Sequence, residues 1–99
     1  MTKELSAALA KVFANNRKLV HLVVQYKHAH FEDCLRIAEN LICSVKADLN
    51  VLRTFNGFPI YDYVHYNLSK AFLCEAIRNF DFAYYDSMYC AIAVKLLMI

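Results

Sequence analysis

Apolar residues recur along this chain at helical intervals. Leu5, Ala8, Leu9, Val12 and Phe13 stand at i, i+3, i+4, i+7 and i+8, the spacing that lines one helix face. They predict a helix over residues 3–14 with Thr2 as its N-cap. Leu5 occupies the place of a capping-box Glu, so the box is missing. Asn15 and Asn16 predict a break, because asparagine competes for local backbone hydrogen bonds and tolerates the left-handed conformation. Leu19, Leu22, Val23 and Tyr26 then make a helical stripe. Val20, Val23 and Val24 would also suit a buried strand, but nothing else in the chain reads as a strand to pair with it. From Phe31 the stripe is clean through Cys34, Leu35, Ala38, Leu41, Ile42, Val45, Leu49 and Leu52. One rod over residues 17–54 would be ~57 Å long, so a bend is expected at His28-Ala29-His30.

The only glycine and the only proline are Gly57 and Pro59. These two residue types break regular structure most reliably. A sharp turn is therefore expected at residues 56–59, between two helical halves, with Pro59 at the first position of the next helix. That helix is predicted over residues 59–78 through Ile60, Tyr61, Val64, Leu68, Ala71 and Phe72. Asn79-Phe80-Asp81 is the next break, with Asp81 as N-cap. The last helix runs from Phe82 nearly to Ile99 and is apolar almost all round, which marks a helix covered on most sides. The expected fold is all-α: a compact bundle of four to five helices, forming one domain over residues 1–99.

Composition adds a pressure to associate. The chain is 60% apolar and 20% charged, more apolar than the ~45–50% usual for soluble domains. A domain this small cannot hide that much apolar surface in one copy, so a partner surface is expected. The membrane reading fails on length, since Asp86 and Lys95 interrupt the best run and a spanning helix needs ~20 apolar residues. The first residues do not read as a secretory signal, so a cytoplasmic location is expected, in the host cytoplasm for a viral protein. The formal charge of +2 is too small to imply nucleic acid. Residues 1–54 hold most of the cations, and electrostatic work belongs to that half. Cys34, Cys43, Cys74 and Cys90 form no CxxC pair and are read as reduced core hydrophobes.

Eleven of the fourteen aromatics fall between Phe55 and Tyr89, too many for one core. Tyrosine buries area while keeping a polar tip, which favours interfaces. The expected interface residues are Tyr61, Tyr66, Tyr84, Ala91, Val94 and Leu97. Arg17, Lys18 and Lys27 are the candidate anion-binding cations. His28, His30, Glu32, Asp33 and Cys34 offer metal-ligand types, but the second pair of a closed zinc site is missing, so neither metal nor cofactor is expected. Arg17 and His21 stand one turn apart, closer than the Arg–His spacing of helical ribonucleases, and no catalytic residue is assigned. Ile60-Tyr61-Asp62-Tyr63-Val64 with Leu68 and Ala71 resembles the third-helix pattern of flagellar export chaperones, which are small cytoplasmic bundles. That resemblance covers residues 60–71, Asp81 falls late against the pattern, and no functional residue is carried over. The functional expectation is a non-enzymatic, protein-binding helical module that self-associates as a dimer or larger through its aromatic and apolar C-terminal half, with the final helix as the contact. Such a module would be an adaptor, a chaperone-like protein, or a viral or phage accessory protein that inhibits a host factor by occupancy. The alternative is a nucleotide or nucleic-acid binder using the basic first half.

The turn reading is directly testable. Gly57→Val should destabilise the fold by more than ~1 kcal/mol if Gly57 holds a positive φ. An unchanged melting curve would remove the tight turn.

Overall fold

The computed structural model describes residues 3–55 and 59–97. The turn expected at residues 56–59 and the Thr2 cap fall mostly or wholly outside them. Among the described residues there are four helices and no strand: α1 (Lys3–Gln25), α2 (Phe31–Leu52), α3 (Ile60–Asn79) and α4 (Phe82–Leu97). None is long and apolar enough to cross a membrane. The valine-rich stretch of residues 19–24 is helical.

The break expected at Asn15-Asn16 does not occur, and α1 runs straight through it. The reason lies across the bundle. Asn15 Nδ2 donates to Asp48 Oδ2 of α2 at 2.9 Å, and Lys11 Nζ pairs with Asp48 Oδ1 at 3.1 Å. A tertiary partner takes the amide that would otherwise compete for the local backbone. The bend expected near His28 is present. Residues 26–30 leave the helix, with Ala29 N–H donating to the Tyr26 carbonyl at 2.9 Å.

The helices close a ring in the order α1–α2–α4–α3, each packing on two neighbours. The Lys11–Asp48 contact makes α1 and α2 antiparallel. α3 and α4 are joined by residues 80 and 81 alone and pack along each other, with His65 and Phe72 both on Tyr89, so they are antiparallel as well. Phe13 stacks on Tyr63 near one end of the bundle and Lys27 pairs with Asp81 at the other, so α1 and α3 run parallel. The link from α2 to α3 therefore joins diagonal corners. The molecule measures 41 × 24 × 20 Å.

Each helix gives one stripe to a shared core. Val12, Leu19 and Val23 meet Ala38, Val45 and Leu49, and these meet Val64, Leu68, Phe72, Tyr85, Met88 and Ile92. The exposed residues of α4 are Phe82, Ala83, Asp86, Ser87, Cys90, Val94 and Lys95. Those residues are mostly small or polar, so α4 is less enclosed than its composition predicts.

The cysteines also differ from expectation. Only Cys34 is buried, while Cys43, Cys74 and Cys90 are exposed, and all four are free thiols. Spacing placed them near apolar stripes, and the small thiol tolerates the edge of a stripe as well as its centre. Native protein should therefore label quickly at three thiols and slowly at Cys34 until it unfolds. Protection of Cys43 in the folded monomer would contradict this arrangement.

Candidate functional site

The turn between α3 and α4 organises one face of the molecule. Phe80 N–H donates to the Ile77 carbonyl and Asp81 N–H to the Ala76 carbonyl, at 3.4 and 3.1 Å. This is the Schellman closure, which needs a left-handed residue at the position Phe80 holds and normally uses glycine. Phe80 takes it with φ 53°, the one positive φ among described non-glycine residues. Its ring is 91% exposed. Asp81 then caps α4 as expected, its Oδ1 accepting from Tyr84 N–H at 3.2 Å. Asp81 Oδ2 pairs with Lys27 Nζ at 3.4 Å, which ties the end of α1 to the same joint.

Helix α3 carries a second apolar stripe opposite its core stripe. Val64, Leu68, Phe72 and Ala76 point inward, whereas Tyr66, Leu73 and Ile77 are 62%, 53% and 54% exposed. With Lys70 and Phe80 these fall at steps of four, three, four and three residues, a continuous seam along one helix face. Beside the seam, a groove of about 660 Å³ lies between α3 and α4. Tyr66, Leu73, Phe82 and Tyr89 give it apolar walls, and Lys70 and Asp86 stand on it with opposite charges. Tyr89 is held in place by its hydroxyl, 2.7 Å from His65 Nδ1. The surface suits an aromatic or aliphatic anchor from a partner chain.

The residues singled out from the sequence are scattered on this frame. Tyr66 lies on the α3 seam. Val94 is exposed on the outward face of α4, and Ala91 is half-buried. The side chains of Tyr61 and Leu97 lie outside those described. Tyr84, expected to lack cover within the chain, has it. Its hydroxyl donates to the Val23 carbonyl at 3.2 Å and lies 3.6 Å from Cys34 Sγ, and its ring stacks on Tyr85. The sequence reading missed Leu73, Ile77, Phe80 and Phe82 as an exposed set. Their four-three spacing with Tyr66 and Lys70 carries the signal for all but Phe82, masked by the opposed core stripe on the same helix.

The three candidate cations also separate. Lys27 is taken by Asp81 and packs over the Tyr85 ring at 5.6 Å. Lys18 is exposed. Arg17 lines a second cleft, of about 530 Å³, between α1 and α3, together with Arg78 and His21. Of the metal-ligand types near residue 30, Cys34 is buried beneath Tyr84 while His28 and His30 are exposed. No three such side chains gather among the described residues.

Compared with protein families, with curated proteins and with solved structures, the chain matches none.

The tyrosines at the joint make stability depend on pH. Burial first, and then the hydrogen bond with Cys34, push the Tyr84 hydroxyl well above its ordinary value of 10.0. Burial also raises Tyr85. Both shifts favour the neutral phenol in the fold. Their contribution is complete below about pH 10 and is lost as pH climbs through the raised values. Melting temperature should fall in that alkaline window. Tyr84→Phe should lose ~1 kcal/mol at neutral pH, from the bond to Val23, and show a shallower alkaline decline. Equal alkaline slopes in melts of the two proteins would sink this assignment.

Proposed function

We propose that this protein is a non-enzymatic helical protein-binding module that pairs with a second copy of itself through the outward face of α3. The observation that supports this reading is the second apolar stripe of Tyr66, Leu73 and Ile77, continued by Phe80. An inward stripe is explained by the core, and an outward one is not. Covering it contributes about 25 cal/mol per Å² of apolar area before association costs. A two-fold pair is the commonest closed arrangement. In such a pair Lys70 and Asp86, which flank the groove with opposite signs, can each meet their opposite on the second copy. The action is occupancy: anchors fill pockets and the rim charges set register. That mode suits an adaptor, a chaperone-like protein or an accessory protein working in the cytoplasm, with no cofactor.

Light scattering after gel filtration tests it. The native chain should run as a dimer or larger at micromolar concentration, and Leu73→Glu should give a helical 11.5 kDa monomer. Phe80→Gly separates folding from binding. It should raise the melting temperature, because glycine holds the left-handed position without the ~1–2 kcal/mol penalty of a side chain, yet weaken association. A native monomer would overturn the reading. So would a dimer indifferent to Leu73→Glu but split by Val94→Glu, which would move the interface to α4.

A further inference from the structure

The exposed seam of α3 is symmetric about Leu73. Tyr66 lies seven residues before it and Phe80 seven residues after, each about 10 Å away along the helix axis. Both ends of the seam are therefore aromatic and its centre is aliphatic. The 660 Å³ groove between α3 and α4 opens beside the Tyr66 end, where Leu73 and Tyr89 also form its walls. At the opposite end the Phe80 ring stands almost fully exposed. It belongs neither to the lining of that groove nor to the core. One chain thus carries an apolar anchor and, a short way along the same face, an apolar groove that its own anchor does not enter.

We propose that the α3–α4 groove of each copy receives the Phe80 ring of the other, with the two α3 helices antiparallel about a two-fold axis at Leu73. This rests on the protein-binding reading above and adds to it the occupant of the groove and the register of the pair. An antiparallel pair exchanges the two ends of the seam. Tyr66 of one copy, on the groove wall, then meets Phe80 of the second copy, and Leu73 meets its own equivalent. A two-fold axis across antiparallel helices also keeps both α4 helices on one side of the pair. Phe80, which leads into α4, stands on that side, where the groove of the second copy opens. A parallel pair would set each residue against itself and leave both grooves empty. It would also bring two like charges together, because Lys70 Nζ is held on the seam, 5.9 Å from the centre of the Tyr66 ring. The antiparallel pair separates the two lysines by ~9 Å along the axis and gains an aromatic contact at each end.

Complementation between two variants of the full chain tests the proposal. Tyr66→Arg and Phe80→Glu each put a charge at both ends of a self-pair. Each alone should stay helical and raise the dimer dissociation constant at least about tenfold in sedimentation. Mixed in equal amounts, they should pair again. One end then brings the introduced arginine against the introduced glutamate, and the other keeps the native Tyr66 and Phe80. A mixture that associates no better than its components, while the native chain is a dimer, overturns this register and leaves the α3 reading standing. So does a native dimer that either substitution leaves intact. A monomeric native chain overturns both. Should either variant fail to fold, disulfide trapping decides, in a chain carrying Cys43→Ser, Cys74→Ser and Cys90→Ser. Leu73→Cys should cross-link to itself across the axis. Tyr66→Cys, ~21 Å from its equivalent along the axis, should not. Failure of the first to cross-link, or cross-linking of the second to itself, overturns the proposal.

Discussion

A four-helix bundle has room inside for one apolar stripe from each helix, and α3 carries two. The inward stripe of Val64, Leu68, Phe72 and Ala76 is buried, and with it the shared core is closed. What remains on α3 is set by geometry. At 3.6 residues per turn, a residue half a turn from the core faces away from both neighbouring helices. Tyr66, Leu73 and Ile77 hold that place. Part of the apolar surplus evident in the composition is thereby gathered on one face, while Ile37, Val51 and Val94 stand exposed elsewhere.

The α3–α4 joint concentrates the structure's local tensions. Asp81 closes α3 through its backbone, caps α4 with one carboxylate oxygen and holds Lys27 with the other. Those three tasks fix the turn so tightly that Phe80 must be left-handed, whatever its side chain. Glycine would satisfy the backbone better, so the choice of an exposed aromatic is not explained by folding. The rigid turn does hold that ring at the end of the α3 seam, where it extends the apolar face.

Helix positions were legible in the sequence because apolar spacing reports them directly. The break at residues 79–81 and the Asp81 cap followed from local chemistry, and the bend near His28 from the length a single rod would have had. The continuity of α1 did not, because Asp48, thirty-three residues away, takes the Asn15 amide. Local propensity is silent about such a partner. The cysteines show the same limit, since spacing tells which side of a helix a residue occupies but not how close a neighbour stands. Three of them lie at stripe edges and meet solvent. At the candidate sites, Tyr66 and Arg17 were recognisable as residue types suited to binding. The α3 seam was hidden because two opposed stripes cancel into no net amphipathicity.

Among the described residues two buried polar side chains lack partners, Asn16 and the Tyr85 hydroxyl, and they differ in what explains them. Tyr85 is a core residue whose ring is wholly enclosed, stacks on Tyr84 and lies beneath Lys27. The area of that ring offsets one unmet hydroxyl. Asn16 brings no such area. A short amide left unsatisfied costs ~1–3 kcal/mol, a sizeable share of the ~5–15 kcal/mol that holds a typical domain together. A leucine there would continue the stripe of Val12, Leu19 and Val23 at no such cost. The core therefore explains Tyr85 and leaves Asn16 over, at the edge of the most loosely packed side of the ring.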